Sequence, residues 1–210
     1  MASDYAFFNR WRGHVPRLMG AGSSYAVLVP LVWEPGQAEP SLLFEVRAAS
    51  LRRQPGEVCF PGGRMEPGET PEQCALREAW EELGIPSAAV EVIGPMDLLC
   101  HQSGFLVHPI LAWVCGQGGR AEQLNAAEVA ETFLVPVSRF FQPPQVYTYP
   151  LQPVVGDDFP YDLIGFPQGY AWRGGQVEVP IYPCGAHTVW GLTGRIVREL
   201  FREQAEPSRP

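Results

Sequence analysis

Residues 63–85 read GRMEPGETPEQCALREAWEELGI, and this stretch decides the fold. Thr70, Pro71 and Gln73 form a helix opening. Threonine caps well, proline suits the first helical position, and a glutamine three residues after the cap completes a capping box. Gly84 is the matching stop, because glycine takes the left-handed conformation that ends helices. The spacing predicts a helix that begins at the Thr70 cap and runs to Leu83. At about 100° per residue, Leu76, Ala79, Trp80 and Leu83 share one face. Glu78, Glu81 and Glu82 fall within an arc of about 100° on the opposite face, so their carboxylates can converge beside the helix.

That convergence is unfavourable without a cation. Two unit charges about 4 Å apart repel by roughly 1 kcal/mol in water and by about 4 kcal/mol at an effective dielectric of 20. A divalent metal reverses the sign. Hard, all-oxygen donors favour Mg²⁺ or Mn²⁺ over zinc. Three glutamates alone are more often a solvated helix face. The rest of the pattern has to carry the metal reading.

Outward from the helix, residues 25–33 and 42–47 are apolar, β-rich runs around Pro35-Gly36 and predict a β-hairpin. Residues 51–59 read as a loop, and Pro61-Gly62-Gly63 as a tight backbone feature. Downstream, strands are expected at 90–100, 106–115, 128–135, 146–151 and 177–182, with a helical turn at 138–141. Residues 188–203 read as a terminal helix with Trp190, Val197, Leu200 and Phe201 buried. Residues 1–22 read as an N-terminal arm, with Pro16 breaking a short amphipathic helix. Residues 23–205 read as one α/β domain, since no linker or repeat divides them.

The chain of 210 residues carries a net charge of −8, with no lysine and 15 arginines. Such a balance gives no general attraction for nucleic acid or an anionic membrane. A polyanionic substrate would need a local positive field from a metal or a few arginines, whose planar forks suit phosphate. The five cysteines, Cys59, Cys74, Cys100, Cys115 and Cys184, make no CxxC pair and read as reduced thiols. The longest apolar run is far short of the roughly 20 residues of a membrane span, and no signal peptide opens the chain. A cytoplasmic protein is expected, and a homodimer is compatible with the sequence.

Gly63, Glu69, Arg77, Glu78, Glu81, Glu82 and Gly84, closed by Ile85, match the Nudix box. That pattern is Gly, five residues, Glu, seven residues, Arg-Glu, an aliphatic, any residue, Glu-Glu, any residue, Gly, an aliphatic. The chain is thereby identified as resembling the Nudix hydrolases. One position departs: Ala79 stands where the family has a bulky aliphatic, and Trp80 is expected to fill the space. The resemblance implies an α/β/α sandwich with a mixed central sheet and metal-dependent cleavage of a diphosphate. It makes Glu78 and Glu82 the principal metal ligands, with Glu81 an additional ligand or a group that orients water, and the Gly62 carbonyl a further oxygen donor. Arg77 would steady the carboxylates together with Glu69. The general base is left open among Glu81, Glu128 and Glu131.

A second resemblance lies upstream. Leu43-Phe44-Glu45-Val46-Arg47-Ala48, then Arg52, Gly56 and Phe60-Pro61-Gly62-Gly63, is similar to the signature before the box in coenzyme A pyrophosphatases. Phe44 replaces that pattern's second leucine, and Glu45 replaces its threonine. The likeness implies coenzyme A or a derivative as substrate, split into 3′,5′-ADP and 4′-phosphopantetheine. Arg47, Arg52, Arg53 and Gly63 would lie on the substrate side. Overall it runs from about Ser24 to Leu200, loosely between Val137 and Gly185. Two other readings compete: the same chemistry on ADP-ribose or a dinucleotide, and a nucleotide-sensing module that binds without turnover. The second would be expected to lose box glutamates, and none is lost. His101, His108 and His187 read as packed core residues. The aromatics from Tyr147 to Trp172 read as the core of an irregular insert.

Overall fold

The structure is a computed structural model that describes residues 12–14, 18–20, 22–34, 36–115 and 124–202. Most of the expected N-terminal arm, and the end of the expected terminal helix, lie outside the described residues.

The predicted hairpin forms from β1 (Ser23–Val32) and β2 (Ser41–Arg47). Its two strands pair only at their base, Leu31 with Leu42 and Val32 with Ser41. Beyond that point they diverge, and residues 58–64 fill the fork. Here β3 (Val58–Cys59) pairs with β2, and β4 (Gly62–Arg64) pairs with β1. The end of the predicted loop and the tight Gly-Gly feature are therefore short strands. Across the fork, the Leu28 N–H donates to the Pro61 carbonyl at 2.9 Å.

On its other edge β1 runs parallel to β7 (Phe105–Val114), while β8 (Val129–Pro136) lies antiparallel along β2. The outer strands β5 (Val90–Pro95) and β6 (Leu99–Cys100) both pair antiparallel with β7. The expected strand at 90–100 is thus two strands. The eight-stranded sheet is mixed, as the sequence suggests.

Helix α1 (Pro71–Leu83) forms with the expected caps: Thr70 and Gln73 exchange side-chain and backbone bonds, and Gly84 sits at φ 67°. It packs Cys74, Ala75, Ala79 and Leu83 on Ala26, Leu28 and Leu43. The two alanines are fully buried and let the helix lie close to the sheet. Trp80 does not fill the space beside Ala79; it is 53% exposed.

On the opposite face, Val29, Leu42, Phe44 and Phe60 meet α2 (Gly191–Leu200) through Ile196 and Val197. Phe44 stacks on Phe60 at 4.8 Å and on Phe133 at 5.5 Å. With one helix on each face, the architecture is an α/β/α sandwich.

A second, three-stranded sheet joins β9 (Gln145–Leu151), β10 (Gly175–Cys184) and β11 (His187–Trp190). Residues 188–190, expected to open the terminal helix, belong to β11. Thr188, Val189 and Trp190 are β-branched or aromatic and favour a strand. Gly191, at φ 62°, then turns the chain into α2. Of the predicted buried stripe, Val197 and Phe201 are buried, but Trp190 is 45% exposed.

The aromatics of residues 147–172 are not a core. Phe159, Tyr161, Phe166, Tyr170 and Trp172 pack edge-on against one another at 4.9–5.3 Å. Tyr147, Phe166 and Trp172 remain exposed. The five cysteines carry no disulfide. No helix among the described residues is long and apolar enough to cross a membrane.

Candidate active site

The acidic residues gather where α1 passes the fork. Strand alternation explains the first part of the arrangement. Leu43 points to the α1 face and Phe44 to the other, so Glu45 returns to the α1 face. Glu45 lies opposite Cys59 in the β2–β3 register, and the Cys59 thiol donates to its Oε1 at 3.1 Å.

From the helix side, Glu82 reaches the same place. It is only 3% exposed, and its Oε2 accepts the Gly62 N–H at 2.8 Å. Glu78, one turn earlier, lies against Gly63. A Cβ added to Gly63 would strike the Glu78 carboxylate, and one added to Gly62 would strike the Ala26 carbonyl and the Val27 side chain. Gly62 is therefore needed for close approach to the β1 backbone, and Gly63 leaves the Glu78 carboxylate the place it occupies.

Arg77 organises the outer rim. Its Nε donates to Glu69 Oε1 at 2.9 Å and its Nη2 to Glu69 Oε2 at 3.1 Å, a two-pronged pair. Its Nη1 donates to Glu78 Oε1 at 2.8 Å and to Glu81 Oε2 at 3.1 Å. The Arg77 side-chain hydrogen bond, with the Glu66 N–H, holds the Glu69 carboxyl down at about 2. The same contacts raise Arg77 further above its ordinary value.

The inner carboxylates shift the other way. Burial pushes Glu82 up, and repulsion from Glu45 adds to it. Burial likewise pushes Glu45 up, against the Cys59 hydrogen bond and the nearby Arg47 charge. Glu78 is raised by burial and partly brought back by Arg77. Glu128 contributes repulsion to all three. It is set there by backbone bonds from Ala48 N–H to its carbonyl at 2.7 Å and from Asn125 N–H to the Glu82 carbonyl at 3.0 Å.

The sequence-predicted residues thus separate. Glu78, Glu82, Gly62 and Gly63 meet in the fork, with Arg77 and Glu69 bracing Glu78 from outside. Glu81, expected to converge with its neighbours, has a side chain 51% exposed and touches the group only through Arg77. Glu131 is 57% exposed and stands 3.8 Å from His187, which stacks on Phe133. Of the arginines expected on the substrate side, Arg47 is the one whose charge acts on Glu45, and its Nε is buried without a hydrogen-bond partner among the described residues. Arg52 and Arg53 are exposed on the loop from β2 to β3 and make no ion pair among the described residues.

Glu45 is the residue that the sequence reading missed. It figures there only as a replaced threonine, yet it is 1% exposed and its Oε2 has no hydrogen-bond partner among the described residues. The signal was present: an acid between Phe44 and Val46 in an otherwise apolar strand has to be buried or to break the pattern.

Among the described residues no three His, Cys, Asp or Glu side chains stand in a ready-made metal cage. Arg77 engages three of the carboxylates, those of Glu69, Glu78 and Glu81. The donor set nonetheless fits a divalent ion: a buried carboxylate with a single N–H partner, a second with an orphaned oxygen, and a glycine cradle that keeps the approach open. All the donors are oxygens, which suits magnesium or manganese. A surface depression of about 540 Å³, lined by Glu39, Pro136, Ser138, Arg139 and Cys184, shares no residue with this cluster.

The model of the NUDIX domain matches residues 23–152. The chain is 33% identical over 208 residues to the Nudix hydrolase NudL of Photorhabdus laumondii subsp. laumondii, covering 97% of this chain and 98% of that one. It is 40% identical over 128 residues to the peroxisomal coenzyme A diphosphatase NUDT7 of Mus musculus, covering 60% of this chain and 52% of that protein. Nudix hydrolase 3 of Caenorhabditis elegans is 38% identical over 132 residues, which span 60% of this chain and 54% of that protein.

Proposed function

The chain belongs to the Nudix hydrolases, a family that acts on diphosphate bonds and generally needs divalent metal ions, and on that premise we propose that it splits the diphosphate of coenzyme A or a derivative with Mg²⁺ or Mn²⁺. The products would be 3′,5′-ADP and 4′-phosphopantetheine. The observation that carries the hydrolytic reading is the state of Glu82. It is buried, its one hydrogen-bond partner among the described residues is the Gly62 N–H, and the nearest guanidinium of the rim, Arg77, is spent on Glu69, Glu78 and Glu81.

Glu82, Glu78 and the Gly62 carbonyl would hold the cation, with Glu81 able to join from the solvent edge. Bound there, a divalent ion supplies charge neutralisation at the diphosphate. The chain's own groups supply the rest. Arg77, braced by Glu69, fixes the direction of Glu78, and such outer partners commonly matter 10–100-fold in metal affinity or activity. Glu128 stands within electrostatic reach of Glu78 and Glu82 and is the candidate to take the proton of the attacking water. Arg47, with its buried and unpartnered Nε, is suited to a substrate phosphate. Arg52 and Arg53, exposed on the loop from β2 to β3, would add positive charge on the substrate side.

Coenzyme A is favoured over other diphosphates by the signature from Leu43 to Gly63 and by the likeness to NUDT7. The test is a panel of coenzyme A, its 3′-dephospho form, ADP-ribose and a dinucleotide, with products identified by mass. Coenzyme A should yield the two named products. Its 3′-dephospho form should react about tenfold less efficiently, the worth of one charge-assisted phosphate contact. Equal rates on these two would remove the role given to the arginines. Cleavage of ADP-ribose or the dinucleotide with coenzyme A left intact would replace the substrate assignment.

Gly63 offers a sharper structural check. Gly63→Ala places a methyl where the Glu78 carboxylate lies. Turnover should fall by about 10–100-fold, while circular dichroism melting stays close to wild type. Wild-type kcat/KM in this variant would mean that Glu78 needs no fixed seat.

A further inference from the structure

We infer that Glu45 is an additional cation-binding carboxylate, contributed by β2 and distinct from the set carried by α1. The inference rests on the reading that the α1 edge binds a divalent cation. It adds a ligand that the two sequence resemblances do not supply, since the coenzyme A pyrophosphatase signature has threonine at this position.

Three observations carry it. First, Glu45 is 1% exposed in the middle of a strand whose neighbours Leu42, Leu43 and Phe44 are core residues. A carboxylate is not kept in such a place for packing, because burying it carries a desolvation penalty that a threonine or leucine would not incur. Second, its two oxygens are treated differently. Oε1 receives the Cys59 thiol at 3.1 Å, and Oε2 is buried with no hydrogen-bond partner among the described residues. Such an orphaned acceptor has lost its water and gained nothing in return unless something absent from the chain itself fills the position. Third, alternation along β2 turns Glu45 toward α1, where Glu82, Glu78 and Glu128 all act on it or are acted on by it. Arg47 lies near enough to act on Glu45, but the two form no ion pair among the described residues. Repulsion among these carboxylates is relieved most directly by a divalent ion, with Glu45 Oε2 as one of its donors. Cys59 then has a positioning role: by occupying Oε1 it leaves Oε2 for the cation.

The experiment is a Mn²⁺ titration of the full chain without substrate, read by the electron paramagnetic resonance signal of free Mn²⁺. Wild-type protein should bind, and Glu45→Gln, which keeps volume and hydrogen bonding but removes the charge, should weaken binding about tenfold or more. Glu45→Thr, the residue of the related signature, should weaken it similarly. Metal-free Glu45→Gln should melt no lower than wild type, since it relieves repulsion. If that variant does not fold, Glu45→Asp keeps the charge but withdraws the oxygen, and should also bind more weakly. Variants that bind Mn²⁺ as tightly as wild type overturn the assignment of Glu45 and leave the cation site standing. Wild-type protein that binds no Mn²⁺ overturns the cation site itself, and this inference with it.

Discussion

Glu82→Gln is expected to lower kcat/KM for diphosphate hydrolysis by about a thousandfold or more, on the order of 4 kcal/mol of lost transition-state stabilisation. The fold should be unaffected. Glutamine keeps the shape and can still accept the Gly62 N–H that Glu82 now receives at 2.8 Å. It removes the charge that the site needs when loaded and that repels Glu45 when it is not. The metal-free variant should therefore melt at or slightly above the wild-type temperature while turning over almost nothing. That combination separates a ligand from a structural acid, whose loss would lower the melting temperature and leave the rate largely intact. Wild-type kinetics in a folded Glu82→Gln protein would refute the role given to this residue.

Removing the metal should have an effect of similar size. After exhaustive chelation, hydrolysis should fall to background and return on addition of Mg²⁺ or Mn²⁺. Chelation should also change how stability depends on pH. Burial raises Glu45 and Glu82 above the ordinary value of 4.5, so above that pH the folded chain holds protons that the unfolded chain has released. Stability of the metal-free protein therefore declines as pH rises from about 5 to 8. Glu69 has the opposite sign. Held at about 2 by Arg77, it contributes stability that is present above about 4.5 and is lost as pH falls through the folded value. A bound divalent ion takes the place of the protons on the inner carboxylates. At a hundred times its dissociation constant it adds about 2.7 kcal/mol and should remove most of the decline toward pH 8. Melting curves at several pH values, with chelator and with Mn²⁺, measure this. A metal-free protein that grows more stable between pH 5 and 8 would contradict the electrostatic description of the site.

The parts of this molecule that could be read from sequence are those fixed by local chemistry. Thr70, Pro71, Gln73 and Gly84 set both ends of α1 within a few residues, and the structure has them in those roles. The Arg77–Glu69 pair, which the resemblance to the Nudix box implies, is present. What could not be read depends on distant pairing. The fork opens because β4 takes the β1 positions Tyr25–Val27 that a regular hairpin would have given to β2. Nothing local to residues 58–64 announces that competition. The burial of Glu82 follows from it, because the Gly62 N–H reaches the carboxylate only where β4 is fixed beside β1. Helical-wheel geometry placed Glu78, Glu81 and Glu82 together, but an arc of 100° is wide enough for one edge to face the sheet and the other the solvent. Trp80 and Trp190 were assigned to buried faces by hydrophobicity alone, and both are exposed. Bulk next to a small residue does not decide which side chain fills a gap when Ala75 and Ala79 bring the backbone close enough to leave none. Glu45 was legible in principle, as a charge at a core position of β2. A match to the signature, which has threonine there, hides it; the cost of burying a carboxylate reveals it.

If the carboxylates in the fork hold a divalent cation against a diphosphate, the cation can be located directly. The most direct measurement is a crystal soaked in Mn²⁺, with anomalous scattering recorded at the manganese edge. A peak among the carboxylates of Glu78 and Glu82 and the Gly62 backbone, with Glu45 Oε2 turned to it, is the predicted result. A fork without such a peak, its Glu78 still bound to Arg77 and its Glu82 still bound only to Gly62, would contradict the account.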